Sequence, residues 1–292
     1  MEQFITPILF IIFNRPHSTA LVFEQIKSVQ PKHLFIAADG PRDDRSAEVD
    51  LCKASRDIVL KGIDWDCEVK IFFRDENAGC KKAVSEAINW FFENVEQGII
   101  LEDDCLPSKD FFEFCEFGLN LYKNDLNIIA INGCNFNFKN DIDESYIFSR
   151  FMNVWGWATW KRSAIHIDYD LVSWQNKNQF IFLWKCLRNN VLDFDFEWIK
   201  YWKNIFTLIF KKELNTWDYQ WQFELFNTNK MTIVSSKNLI INIGFDSKAT
   251  HTTLVSHPCS NLYFEKLSFP LKNHNKKKIS YLFEKYAVKP KW

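Results

Sequence analysis

The feature that most constrains this chain is a series of short apolar runs, each closed by polar residues. Ile8 to Phe13 is continuous and ends at Asn14-Arg15-Pro16, His33 to Ala38 ends at Asp39-Gly40-Pro41, and Cys67 to Phe73 ends at Arg74-Asp75-Glu76-Asn77-Ala78-Gly79. Gly98 to Leu101 runs directly into Glu102-Asp103-Asp104, and Asn127 to Ile131 ends at Asn132-Gly133. The unbroken runs Ile8–Phe13 and His33–Ala38 mark strands buried on both faces, and Cys67–Phe73 reads as a third strand. Between them apolar residues recur at helical spacing: Val22, Ile26 and Val29, then Ala83, Ala87, Ile88, Phe91, Phe92 and Val95 on one face, with a more polar helix expected over 46–60. Strands alternating with helices predict an α/β fold, a mostly parallel sheet with helices on both faces. Ligands in such sheets lie outside the carboxyl ends of the strands. Those ends carry Asn14-Arg15, Asp39, Arg74 and Glu102-Asp103-Asp104.

Composition narrows the function. Lys and Arg total 36 against 37 Asp and Glu, which leaves no basic excess for a general nucleic-acid binder. Neither GxGxxG nor GxxxxGK[ST] occurs, so the Rossmann fingerprint and the Walker A loop are both absent. The eight cysteines form no CxxC and no zinc-finger spacing, and reduced, buried thiols are expected. Met1-Glu2-Gln3 lacks the positive region of a signal peptide, and the run Phe4 to Phe13, interrupted by Thr6 and Pro7, is too short to span a bilayer. A cytoplasmic enzyme is the expectation.

Three carboxylates in a row at a buried strand end are costly unless a cation neutralises them. Mg²⁺ or Mn²⁺, shared with substrate phosphates, is the natural partner of Glu102-Asp103-Asp104. The same tripeptide would also serve as an acidic turn ahead of a helix starting near Ser108.

Ten of the twelve tryptophans lie beyond residue 150, where the alternation is lost. Short helices around 179–190 and 194–210 and strands near 231–235 and 239–243 suggest a subdomain over the sheet edge. Trp217-Asp218-Tyr219-Gln220-Trp221 sets an acid among rings that match sugar faces, where partial burial would raise it toward a useful base. It also reads as a core helix capped by Asp218. Trp155-Gly156-Trp157-Ala158-Thr159-Trp160 reads equally as ligand contact or as core. His251 is a candidate metal or diphosphate contact, or a hydrogen-bonded structural residue. From Lys266 the chain has eight lysines against Glu284 alone. This is a surface-seeking basic tail, with Phe264, Phe269, Tyr281, Phe283 and Trp292 to insert at an interface, or a solvated terminus.

The succession of Asn-Arg-Pro, Ala-Asp-Gly-Pro-Arg, Asn-Ala-Gly-Cys, Ile-Leu-Glu-Asp-Asp, Trp-Gly-Trp-Ala-Thr-Trp, Trp-Asp-Tyr-Gln-Trp, Asn-Ile-Gly-Phe and Ala-Thr-His-Thr resembles bacterial GT-A, family-2-like nucleotide-diphospho-sugar transferases, which in turn look like N-acetylglucosaminyltransferase I. The resemblance runs over roughly residues 5–255. It implies a Rossmann-like GT-A domain with a nucleotide-sugar subdomain over 1–135, an aromatic-rich acceptor subdomain over 136–255 and a basic tail over 256–292. It implies Asp104 as ligand of Mn²⁺ or Mg²⁺, joined by His251; Arg15, Asp39 and Asp103 on the nucleotide; Glu102, Trp157 and Trp217 on the donor sugar; and Asp218 as catalytic base. A histidine that the family places near uracil has no match around Asn77-Ala78-Gly79. The implied activity is inverting transfer of a hexosyl or N-acetylhexosaminyl group, from a UDP-sugar, to a saccharide or lipid-linked saccharide. The setting is surface polysaccharide synthesis (lipopolysaccharide or capsule), at the inner face of the plasma membrane through the tail. The alternatives are a non-catalytic carbohydrate-binding protein, which leaves the three carboxylates unexplained, and a sugar-nucleotide pyrophosphorylase, which needs a Gly-rich loop where Phe13-Asn14-Arg15-Pro16 stands. A haloacid-type phosphatase needs DxDx[TV], and Glu102-Asp103-Asp104-Cys105 does not supply it.

Overall fold

The computed structural model describes residues 3–139, 142–189, 195–245, 259, 261–274 and 276–287. The apolar runs become strands as expected. In chain order the first part is β1 Ile8–Ile12, α1 Pro16–Val29, β2 His33–Ala38, α2 Ala47–Gly62, β3 Glu68–Phe73, α3 Cys80–Asn94, β4 Gln97–Glu102, β5 Cys105–Pro107, α4 Lys109–Leu121 and β6 Ile128–Asn132. α1 begins on Pro16, whose missing N–H belongs to the unbonded first turn in any case, and this fixes Arg15 at the helix entrance. β7 Tyr146–Ser149, β8 Trp157–Trp160, α5 Lys161–Ala164, α6 Gln179–Asn189, α7 Phe196–Phe210, α8 Tyr219–Thr228, β9 Met231–Ser235, β10 Ile240–Asn242 and α9 Tyr281–Ala287 follow.

Eight strands form one sheet in the order β3-β2-β1-β4-β8-β6-β9-β7. β1, β2, β3, β4, β6 and β9 run the same way, and β8 and β7 run against them. Side chains of β1 alternate between the faces. Ile8, Phe10 and Ile12 meet Val22, Phe23 and Ile26 of α1. Leu9 and Ile11 meet Val84, Ala87, Ile88 and Phe91 of α3. On α3 the buried face is turned slightly from the expected one, with Val84 buried in place of Ala83. A third core, rich in aromatic rings, joins Trp174, Leu183, Trp198, Trp202, Phe206, Phe223 and Phe226 in a helical lobe.

Two expectations need correction. The second-half strands are not laid over the sheet edge. β8 enters the middle of the sheet, antiparallel to β4 and to β6, and β9 and β7 extend it. Four residues are too few to show a period, which is why Trp157–Trp160 gave no strand signal, yet all four are buried. The Thr159 hydroxyl is satisfied by donating to the Ile129 carbonyl at 2.6 Å. Nor is the basic C-terminal segment a solvated tail. Ile279 bridges to Phe148 of β7, Phe283 packs with Ile147 and Val234, and Glu284 is fully buried. Phe283 is therefore not free to enter an interface, whereas Phe264, Phe269 and Tyr281 are exposed; Trp292 lies outside the described residues. The cysteines stand as thiols, most of them buried. No described helix is long and apolar enough to cross a membrane.

Candidate active site

β1 has β2 on one side and β4 on the other, so the connections leave it in opposite directions and a crevice opens at their carboxyl ends. Ile11 pairs with Glu102, which sets the residues after β1 beside those after β4. A cavity of about 690 Å³ occupies this crevice. Because β8 runs backwards between β4 and β6, the chain entering it arrives at the same rim. Asn153 and Trp155 thereby join the wall.

The expected nucleotide and metal residues do converge here: Arg15, Asp39, Glu102, Asp103 and Asp104 all line the cavity. Arg15 Nη1 pairs with Asp104 Oδ2 at 2.5 Å and lies 3.6 Å from Asp103 Oδ1. Burial works against this cation, but Asp104 and Asp103 outweigh it and hold the guanidinium above its usual pKa. Asp103 is turned inward, and its Oδ2 accepts the Phe13 N–H at 2.9 Å. Burial, then the neighbouring Asp104, pushes Asp103 up to about 7. Burial likewise holds Glu102 well above the carboxylate range, helped by Asp104, Asp103 and Asp218.

Asp39 ties two loops together. Its Oδ1 accepts the N–H groups of Gly40 (3.0 Å) and Ala78 (2.9 Å), and its Oδ2 accepts Asn77 Nδ2 at 2.9 Å. Burial raises its pKa against the pull of those N–H donors. Asn77 Nδ2 also donates to the Gly40 carbonyl at 2.8 Å.

Asp218 sits at the start of α8 and lines the cavity, but its side chain does not cap the helix. It accepts instead from the Thr216 hydroxyl. Trp217 also lines the cavity and stacks on Trp157 at 6.1 Å. Trp157 itself does not reach it. With 0% exposure, and with Trp221 edge-on at 4.7 Å, it is core beneath Trp217, so its place on the donor sugar is corrected. In a strand Trp155 and Trp157 would share a face, but Gly156 at φ 61° breaks the extended chain and parts them. Trp155 takes the cavity position, edge-on to Phe245 at 5.7 Å.

Sequence reasoning missed Trp155 as the exposed member of its motif, and it missed Tyr201, Trp202 and Asn215. Tyr201 and Tyr219 join hydroxyl to hydroxyl at 3.0 Å on the cavity wall, beside Trp202. α7 is amphipathic, with Glu197, Lys200, Lys203 and Asn204 on its exposed face; Trp202 belongs to the buried stripe and Tyr201 flanks it, so their spacing reads as packing and not as a site. Asn215 Oδ1 accepts the Lys81 N–H at 3.0 Å, and Lys81 Nζ pairs with Asp170 at 2.6 Å, which clasps the lobe to the start of α3. His251 lies outside the described residues.

The oxygen donors suit a hard divalent cation, and Arg15 is the cation that faces Glu102, Asp103 and Asp104. Among the described residues no three His, Cys, Asp or Glu side chains form a metal-binding group. A cation here would take Asp104 and complete its shell with substrate phosphates, which is the habit of Mg²⁺. Gly244 makes room for this: a Cβ there would meet Asp104 Oδ2 at 2.5 Å.

The fold and cavity define an α/β sheet protein with an acidic, aromatic-walled ligand cleft at its topological switch point. No protein-family model matches the chain, and no curated protein does. Solved structures that it resembles include HddC from Yersinia pseudotuberculosis, at 9% identity and a TM-score of 0.32 over 54% of this chain and 78% of the other. Another is 4-diphosphocytidyl-2C-methyl-D-erythritol synthase from Anaerococcus prevotii, at 11% and 0.34 over 59% and 78%. A UDP-glucose pyrophosphorylase complexed with UDP-glucose stands at 8% and 0.35 over 79% and 90%. Likeness at this level assigns neither family nor activity, and the functional reading rests on the site.

Proposed function

We propose that this chain is an inverting glycosyltransferase that uses a nucleotide-diphosphate sugar, UDP-linked, with assistance from Mn²⁺ or Mg²⁺. The observation that carries the reading is that Asp218, on an aromatic wall, and the Glu102-Asp103-Asp104 strand end share one cavity. Arg15, Asp39 and Asp103 belong to the nucleotide, and Glu102 and Trp217 to the donor sugar. The Tyr201–Tyr219 pair and Trp202 form the acceptor wall beside Asp218. The acceptor hydroxyl oxygen attacks the anomeric carbon, and its proton passes to the Asp218 carboxylate. The bond from that carbon to the diphosphate oxygen breaks, its electron pair leaves with the diphosphate, and configuration inverts. A cation held by Asp104 would supply charge neutralisation for the diphosphate when bound. The transferred group is hexosyl or N-acetylhexosaminyl, and a saccharide acceptor in envelope polysaccharide synthesis completes the proposal. The donor and acceptor subdomains divide near residue 135.

Nucleotide sugars incubated with Mn²⁺, Mg²⁺ or EDTA test the reading. Release of free nucleoside diphosphate, with UDP affinity lost in EDTA, is expected. Pyrophosphate release from a nucleoside triphosphate and a sugar 1-phosphate would instead make the chain a nucleotidyltransferase. Equal UDP affinity with and without metal would remove the cation. Asp218→Asn is expected to lower turnover ~10²–10⁴-fold with donor affinity retained; lost donor affinity or unfolding would make Asp218 structural.

A further inference from the structure

α6 is built inside out. It sends Leu183, Cys186 and Leu187 into the helical lobe, so the flanking face meets solvent and should be polar. That face carries large apolar side chains: Phe180 is 46% exposed, Ile181 44% and Trp184 39%. They follow the i, i+1, i+4 spacing of one stripe. Phe196, at the start of the neighbouring α7, is 56% exposed. The charges on α6 itself are positive: Lys185 and Arg188 are exposed, the Arg188 guanidinium lies 5.8 Å from the Trp184 ring, and the helix holds no acidic residue. At the start of α7 the exposed Asp195 and Glu197 flank Phe196 and offset Lys200 and Lys203, so the positive excess belongs to α6.

An exposed Phe-Ile-Trp stripe with Lys and Arg alongside is the chemistry of a helix lying in a membrane interface. Its rings enter the headgroup boundary while the cations meet anionic lipid. We propose that the outer face of α6 docks this protein on the surface of an anionic bilayer. The neighbouring α7 carries Tyr201, Trp202 and Ile205 on the cavity wall, so the docking face and the cavity share one helix pair. The inference stands on α6 alone and does not depend on the reaction proposed above.

Sedimentation of the full chain with phosphatidylcholine vesicles, and with vesicles containing one-third phosphatidylglycerol, tests it at low and high salt. The protein is expected on the anionic vesicles, less so at high salt. Phe180→Ser combined with Trp184→Ser should cut partitioning roughly tenfold or more with the circular dichroism spectrum unchanged. Because both positions are exposed, the fold should tolerate the change, and Ile181→Asp provides a second route to the same loss. Lys276→Gln with Lys278→Gln should leave partitioning as it is. Three results would overturn the proposal: no binding to anionic vesicles, binding unaffected by the α6 variants, or a dimer in sedimentation velocity that these variants dissolve while vesicle binding is absent.

Discussion

The two halves of the central sheet are built by different rules. β1, β2, β3 and β4 follow one another through single helices; β1, β2 and β3 lie side by side in chain order, and β4 crosses back to the other side of β1. β8, β6, β9 and β7 are gathered from distant segments, and β8 is wedged backwards between β4 and β6. The first half is a repeated unit that local patterning specifies. The second is held by tertiary contacts, chiefly aromatic, that no short window of sequence contains. Their outer edges differ as well. β3 is largely exposed and carries Glu68 and Lys70, charges that discourage further strand pairing. β7 is covered by the C-terminal segment through Ile279, Phe283 and Glu284.

The largest effect should come from breaking the joint between the halves. Trp157→Ala empties a fully buried site between β4 and β6, and it should cost ~3–5 kcal/mol in urea unfolding. A loss under about 1 kcal/mol would mean that β8 does not hold the halves together. Next comes the covered edge. Burial raises Glu284 from 4.5 to about 7, opposed by the Arg150 N–H, the Arg150 charge and Ser149. A carboxyl raised on folding contributes stability that is full below its unfolded pKa and lost as pH climbs through its folded one. That window runs from 4.5 to about 7. Glu284→Gln keeps an acceptor for the Arg150 N–H, which now meets Oε1 at 2.5 Å. It should therefore stabilise the protein by roughly 2–3 kcal/mol at pH 8.5 and by almost nothing at pH 4.5. An equal difference at both pH values would refute the titration. The smallest effect belongs to the open edge: Ile71, 53% exposed on β3, should tolerate threonine within about 0.5 kcal/mol. A larger loss by thermal unfolding would show that this edge, too, is covered.

The same contrast explains what was legible. The strand runs, their helices and the polar residues at their carboxyl ends could be read directly, because burial on both faces leaves an unbroken apolar signature. Arg15, Asp39 and the acidic tripeptide could be placed together at the strand ends for that reason, and they line one cavity. Trp157 was misplaced because Trp-x-Trp spacing does not reveal the turn at Gly156. Tyr201 and Trp202 were hidden because they lie on or beside the buried stripe of an amphipathic helix, where aromatic residues read as packing. The C-terminal segment was misjudged because its lysines dominate the composition, while Phe283 and Glu284 do the anchoring.

The short sheet of β5 and β10 has a mechanical consequence. β5 begins immediately after Asp104, and β10 ends immediately before Ile243, whose N–H donates to the Asp104 carbonyl at 2.8 Å. Gly244 then rests on the Asp104 carboxylate, and Phe245 bears on Trp155. One unbroken line of contacts thus runs from the acidic end of the cleft to its aromatic lip. Whatever shifts Asp104 must also shift the chain at Phe245, and the load arrives at Trp155. Occupancy at one end of the cleft would therefore set the aperture at the other.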